Sequence, residues 1–370
     1  MERRNFIKSV GAISTLSLSP TVFTKTVNLS KKGKILILGG TKFIGPVIVE
    51  QLIEAGYEVT LFNRGLTNPH LFPNIEKLRG DRYPANGKGL TALKTSRKWD
   101  VIIDTWAENP LCVKDTLSLL QNRCKQYIYT SSMAVYPDQL LSTQSGITEK
   151  AKLPTDNIPT NYNDSLNYGL NKRIADKLVN HSSKGCVLRP HSICGIALDN
   201  ISDNQRYWPV RLQRGGEIAA PGDGGDTTQY IDVKDLAAFI LTCIEKRYIG
   251  TYNTFTTERF DAYLYGLKSL SSNRSELSWL SHEYLYKNNI RHYVDMPMWA
   301  ARQVVKGTFT ISSEKAIQAG LTFRPLSHTF SDVLAGFYQH ESNRYEFGVG
   351  ESKSGLSRQR EQQLLTHYQA

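Results

Sequence analysis

The sequence predicts an α/β fold, a doubly wound parallel sheet with a smaller C-terminal substrate domain, and three observations carry that prediction. Short apolar runs recur from residue 34 onward, segments with helical apolar spacing separate them, and the first run ends in paired glycines that lead straight into a helix. Apolar runs without polar alternation suit strands buried on both faces, as a parallel sheet requires. Strand, helix and strand in succession is how such a sheet is wound.

Residues 35–38 read as the first strand, ended by Gly39 and Gly40. Residues 44–55 carry apolar side chains at helical spacing, with Gly56 as the stop. Residues 57–62, 77–80 and 101–104 are expected as strands two to four, 113–121 as a helix, 126–130 as the fifth strand and 186–189 as the sixth. After Gly195 the pattern changes. Residues 196–228 are rich in Gly, Asp and Arg and lack long periodic segments, whereas 229–233 return as strand and 234–245 as helix. Residues 256–325 look helical and mixed, and 357–367 read as a helix capped by Ser357. The expected division is a nucleotide-binding domain over 31–195 and a mainly substrate-binding domain over 196–370, with 229–250 returning to the first.

Residues 1–30 do not read as the start of a domain. Arg3, Arg4, Phe6 and Lys8 stand in the register of a twin-arginine export motif, followed by a weakly apolar stretch over 10–23. Glu2 stands where Ser or Thr is usual, and no A-x-A cleavage site is visible, so the segment is expected as a leader that is cleaved or kept as a tether. Export places the protein in the periplasm; a frayed basic tail would leave it in the cytoplasm. No apolar run approaches the roughly 20 residues of a membrane-spanning helix. Five scattered cysteines without CxxC, and eight histidines without metal spacing, argue against a disulfide framework and a metal site. A net charge of +11 suits phosphorylated ligands, anionic glycans or nucleic acid without choosing among them.

The chemistry begins at Gly39, Gly40, Thr41, Lys42, Phe43, Ile44 and Gly45. Glycines between a strand and a helix let the backbone approach a pyrophosphate, whose charge then sits on the helix's N-terminal N–H groups. Asn63 and Arg64 close the second strand, where an acid would bind the ribose 2′-hydroxyl of NAD. Arg64, with Lys42, could instead pair with a 2′-phosphate, which favours NADP over NAD. Tyr168 and Lys172 stand four apart, so on a helix both side chains leave one face. An ammonium beside a phenol is expected to lower its pKa and make Tyr168 a general acid–base. Ser132, just after the fifth strand, can hold the same substrate oxygen. Trp106 and Ala107, after the fourth strand, are expected to line the cofactor.

These motifs resemble the extended short-chain dehydrogenase/reductase family, also called the NAD-dependent epimerase/dehydratase family. Residues 39–45 are similar to its GxxGxxG loop, with Lys42 at the middle glycine; residues 131–136 to its SSxxVY; 168–172 to its YxxxK; Arg189-Pro190 and 229–237 to two later signatures. The loop and the Asn63-Arg64 strand end are also similar to a subgroup that includes plastid stem-loop RNA-binding proteins. The resemblance implies Ser132, Tyr168 and Lys172 as the catalytic set and Lys172 also on the cofactor ribose. It places Asp81 at the adenine, and Pro190 and Ile193 near the nicotinamide. Sugar-nucleotide dehydratases of the family carry an Asp-Glu pair after the catalytic hydroxyl. Met133 and Ala134 stand there instead, which favours epimerisation or simple redox chemistry.

The expected function is an NAD(P)-dependent epimerase or oxidoreductase acting on a sugar, polyol or glycoside. Export would favour a cofactor that is retained and regenerated within each turnover. A simple NADPH-dependent reductase and a non-catalytic RNA-binding relative are the alternatives, discriminated by a retained nucleotide and by salt-dependent RNA affinity. Nucleic acid is not an expected partner, since no aromatic–basic RNA motif is visible; a homodimer is left open. Arg206, Tyr207, Trp208 and Arg211 read either as a sugar- or anion-binding wall or as core.

Overall fold

The computed structural model describes residues 32–106, 108–164, 166–195, 203–341, 345–350 and 354–369. The expected leader and Ala107 lie outside the described residues.

Among the described residues twelve strands form three sheets: β1 (Lys34–Leu38), β2 (Glu58–Asn63), β3 (Glu76–Arg79), β4 (Trp99–Asp104), β5 (Cys124–Thr130), β6 (Gly185–Pro190), β7 (Ser192–Cys194), β8 (Gly216–Pro221), β9 (Thr227–Asp232), β10 (Gly250–Thr254), β11 (Thr256–Arg259) and β12 (Ser275–Leu280). The main sheet has seven strands, all parallel, in the order β10-β6-β5-β4-β1-β2-β3. Ile35, Leu36, Ile37, Ile102 and Ile103 are wholly buried, which is why these strands read as uninterrupted apolar runs. The winding reverses between β1 and β4, so the carboxyl ends of the strands open a crevice there.

Helices cover both faces. On one, α1 (Gly45–Glu54) packs beside α6 (Val233–Lys246), burying Ile48, Val49 and Leu52 with Phe239, Ile240 and Cys243. On the other, α2 (Leu111–Leu120) meets α4 (Tyr168–Asn180) through Val113, Leu117, Ala175 and Val179. The intervening α3 (Asp138–Thr143) is a short surface helix.

A second cluster of buried residues belongs to the later chain: α5 (Asp203–Gln213), α7 (Phe260–Lys268), α8 (His282–Lys287), α9 (Glu314–Gln318), α10 (Leu326–His340) and α11 (Arg358–Gln369). Trp208, Phe260, Tyr263, Trp299, Phe330 and Phe337 fill most of it, and α9 instead sits beside β10. Expectations for this half need correction. The region expected to lack long periodic segments contains α5 and β8, and the region expected to be helical and mixed supplies β11 and β12 beside its helices. Pro209 within α5 and the inward-facing polar Arg211 mask its helical pattern. The strand expected over 229–233 does not rejoin the main sheet. It is β9, parallel to β7 and antiparallel to β11 in a three-stranded sheet, and the chain re-enters the main sheet at β10, a strand the sequence pattern did not reveal.

Three of the basic–aromatic quartet are core: Tyr207, Trp208 and Arg211 are 0%, 0% and 1% exposed, whereas Arg206 is half-buried and pairs with Glu341. Arg211 Nε donates to both Glu361 oxygens at 3.0 and 2.8 Å, and Glu361 is itself 1% exposed. A sugar- or anion-binding wall is therefore overturned for these residues. Ser357 Oγ accepts the Arg360 N–H at 3.2 Å, capping the helix that carries Glu361.

Candidate active site

The β1–α1 turn is built by close approach. A Cβ on Gly45 would meet the Gly40 backbone at 2.8 Å, so the turn closes only with hydrogen there. Phe43 holds φ at 54°, a strained value for a residue with a side chain. No side chain caps α1; the Gly45 N–H donates to Lys42 O at 3.0 Å, Pro46 has no N–H to satisfy, and the Ile48 N–H donates to Ile44 O at 3.2 Å. Asn63 ties β2 to this turn: its Nδ2 donates to Gly39 O at 3.0 Å, and its Oδ1 accepts from Gly65 N at 3.0 Å and Arg79 Nη1 at 2.6 Å. Lys42 and Arg64 are exposed beside the same opening.

A cavity of about 930 Å³ runs along the strand ends. Gly39, Gly40, Thr41, Lys42, Phe43, Ile44, Asn63, Arg64, Asp81, Trp106, Ser132, Tyr168, Lys172, Pro190 and Ile193 all line it. Gly45 lies behind the loop and does not. Asp81 Oδ1 accepts the Tyr83 N–H at 2.9 Å and so also shapes its own turn. Below the cavity floor, Arg82 grips Asp104 through two bonds of 2.8 and 2.9 Å, and Tyr127 donates to Asp104 at 2.5 Å. Both members of that ion pair are buried, and Asp104 takes the Trp106 N–H at 2.9 Å, setting the turn after β4.

Ser132 lies two residues past the end of β5 and begins a single tight turn, where its Oγ accepts the Ala134 N–H at 3.2 Å. Tyr168 opens α4, which Asn167 caps by accepting the Leu170 N–H at 2.8 Å. Gly169 lets α4 press on the turn after Ser132, since a Cβ there would meet Ala134 O at 2.5 Å. Tyr168 is 52% exposed along the cavity; burial of the rest of the side chain raises its pKa above the ordinary value, while a hydrogen bond with Ser132 pulls the other way. Lys172 is 3% exposed and donates to Trp106 O at 2.8 Å and Thr130 O at 2.6 Å. Burial pushes its pKa down to about 7, against the raising pull of Asp104 and Asp176. The expectation that a fully charged Lys172 depresses the Tyr168 pKa is thus corrected. Lys172 spends its donors on backbone carbonyls, and the phenol's surroundings favour its protonated form.

The later signature residues are scaffolding. Arg189 pairs with Asp176 at 2.8 and 2.9 Å, and Asp176 also accepts from Ser131 Oγ at 2.8 Å, which locks β5, β6 and α4 together. Gln229 donates to Thr257 Oγ1 and Ile311 O, and Asp232 caps α6. Sequence reasoning did not single out several lining residues, among them Thr67, Thr105, Glu108 and Tyr293. His191, which also lines the cavity, sits inside the segment expected near the nicotinamide. Tyr293 comes from an irregular stretch with no periodic signal.

Residues 90–255 match the model of the NAD dependent epimerase/dehydratase family. Among curated proteins, the chloroplast stem-loop binding protein of 41 kDa b from Arabidopsis thaliana is 29% identical over 241 residues, covering 59% of this chain and 57% of that protein. The chain spans little more than half the length of the curated relatives it matches. Among solved structures, dTDP-glucose 4,6-dehydratase from Bacillus anthracis in complex with NAD is similar at a TM-score of 0.58 and 16% identity, over 83% of this chain and 97% of that one. UDP-glucose 4-epimerase from Thermotoga maritima with UDP-glucose gives 0.55 and 17%, over 82% of this chain and 99% of that one. At such identities the likeness is one of fold, and it agrees with the seven-stranded parallel sheet.

Proposed function

We propose that this chain is a nicotinamide-cofactor enzyme that moves a hydride on a sugar, polyol or glycoside, as an epimerase or oxidoreductase, with Ser132, Tyr168 and Lys172 at its reacting centre. One observation carries this reading: those three residues share a single cavity with the glycine turn after β1. The chain fits the cofactor by its own features. The close approach of Gly40 and Gly45 in the strand–helix turn suits a pyrophosphate, and Lys42 and Arg64 suit a 2′-phosphate, so NADP is preferred to NAD. Asp81 would take the adenine side, and Pro190 and Ile193 the nicotinamide side. Bound there, the cofactor supplies a hydride acceptor and donor.

The remaining work belongs to side chains. With its pKa raised, Tyr168 is protonated at neutral pH and serves first as the acid toward a substrate carbonyl, while Ser132 Oγ holds that oxygen. In the opposite direction the phenolate takes the proton back from a hydroxyl. Lys172, tied to Thr130 and Trp106, fixes α4 against the end of β5. Met133 and Ala134 offer no transferable proton, which disfavours elimination of water by an Asp-Glu pair.

Residues 1–30 complete the proposal as a twin-arginine-type leader. A protein exported folded carries its cofactor with it, and a reaction that takes and returns the hydride in one cycle needs no fresh supply. Denaturing protein purified from its native compartment should release NADP or NAD. Protein that releases neither, and binds neither when supplied, sinks the proposal. The stem-loop binding relative favours a second reading, RNA binding, which predicts affinity falling steeply with salt.

A further inference from the structure

The chain leaving β2 is fastened to the β1–α1 turn and to β3 by its own side chains. Asn63 Oδ1 takes the Gly65 N–H at 3.0 Å. A Cβ on Gly65 would collide with the Arg79 guanidinium, so the chain passes there only as glycine, at φ of 77°. Asn68 Nδ2 donates to Thr41 O at 3.0 Å, within the glycine turn itself. Lys77 Nζ donates to Pro69 O at 3.0 Å and to Leu71 O at 2.6 Å. Asn68 and Phe72 hold left-handed backbone, at φ of 44° and 56°. Phe72 packs against the same buried cluster as Ile44 and Ile48. Left-handed backbone of this kind persists where surrounding contacts enforce it, and it gathers at ligand sites.

What this bracing holds in place is an exposed leucine. Leu66 is 73% exposed, more than any other large apolar side chain among the described residues. A single apolar residue on an outer surface needs no explanation. Leu66 instead lines the cavity, together with Arg64, Gly65 and Thr67 of its own segment and Gly80 and Asp81 from the turn after β3. Asn63 and Arg79 are register partners, so the two segments leave neighbouring strands side by side. In the sheet order β2 stands three strands from β5, about 14 Å at the usual spacing between strands. This end of the cavity is therefore set well apart from Ser132, on the side where a dinucleotide held by its pyrophosphate at the β1–α1 turn would lay its adenosine.

We propose that residues 65–72 are a retention collar for the adenosine half of the dinucleotide, in which Leu66 covers one face of the adenine and slows its escape. The inference rests on the enzyme reading above and deepens it, by assigning the slow release of the cofactor to this loop. A flat ring covered by an apolar side chain returns both surfaces to water when it leaves, which raises the barrier to release. Because the loop is braced by its own hydrogen bonds, little ordering is left to be done when the nucleotide arrives. Arg64 reads charge, whereas the Leu66 contact is indifferent to the ribose 2′ substituent. Retention by Leu66 should therefore act on NADP and NAD alike.

The test follows nucleotide release from the full-length protein, by stopped-flow displacement of bound NADPH and of bound NADH. It is paired with equilibrium binding of the adenosine halves alone, adenosine 2′,5′-bisphosphate and 5′-AMP. Leu66→Ser should speed release of the bound dinucleotide by about five- to tenfold and weaken its adenosine half by a similar factor. Leu66→Met, which keeps an apolar side chain, should stay close to wild type. Asn68→Ala, which unties the loop from Thr41, should speed release as well. Unchanged release in Leu66→Ser or in Asn68→Ala would overturn the collar. So would faster release with unaltered binding of the adenosine half, or Leu66→Met behaving like Leu66→Ser. Any of these results in protein that still binds a dinucleotide overturns this inference alone, whereas a wild type that binds neither dinucleotide overturns the enzyme reading beneath it.

Discussion

Lys172 and Tyr168 stand one turn apart on α4, yet the lysine donates to the Thr130 and Trp106 carbonyls and not to the phenol. Two donors anchored at 2.6 and 2.8 Å make Lys172 a pin between α4 and the ends of β4 and β5. Tyr168 is left with Ser132 as the neighbour that lowers its pKa, against a larger desolvation that raises it. On the proposed function, this divides the labour between a positioning amine and a proton-carrying phenol.

Replacing Tyr168 by Phe removes the transferable proton and little else. Turnover should fall by about 10²–10⁴-fold, while nucleotide affinity stays close to wild type. Steady-state kinetics beside a nucleotide titration decide it, and full activity in Tyr168→Phe would remove Tyr168 from the proton path.

Lys172 gives a pH signature in stability. Its folded pKa of about 7 lies below the ordinary 10.5, so between those values the unfolded chain binds a proton that the folded chain lacks. The contribution of this residue to stability therefore rises with pH across that window. Urea midpoints at about pH 7 and about pH 10 should rise more in the wild type than in Lys172→Met, which keeps the stem and loses the ionisation. Parallel changes in both would mean that Lys172 stays charged when folded.

Arg64→Ala should weaken NADP far more than NAD, because only NADP offers a phosphate for the guanidinium. Side-by-side titrations are the check. Equal loss for both nucleotides would make Arg64 a structural strand end.

Changing Arg3 and Arg4 to lysine keeps the charge and removes the guanidinium pair that a twin-arginine route reads. The protein should then stay in the cytoplasm. The exported wild type should carry nucleotide and turn over substrate without added NAD(P). Empty periplasmic protein, active only with NADPH, would favour the plain reductase.

The strands around β1 were legible because burial on both faces forces an unbroken apolar run, and the glycine turn because Gly40 and Gly45 touch. β10 was not, since Gly250, Thr251, Asn253 and Thr254 make it polar in composition although it is mostly buried in the sheet. Arg211 misled for a related reason: its charge is cancelled by Glu361, 150 residues away, and no local pattern reports such a partner. Tyr168 and Lys172 were placed correctly on one helix, but their electrostatics were not legible. The carbonyls that engage Lys172 come from two other strand ends.

The same ion pair bears on how the protein is made. At a synthesis rate of about 5–20 residues per second, roughly 8–30 s pass between the appearance of Arg211 and that of Glu361. During that interval the Trp208 cluster cannot close over Arg211 without trapping an uncompensated guanidinium. The main sheet, complete by Thr254, can assemble on the ribosome, while the later core waits for α11. Helix α11 is thus the latch that commits the nascent chain, and a transcript broken before codon 361 yields a protein whose second half has no reason to stay shut.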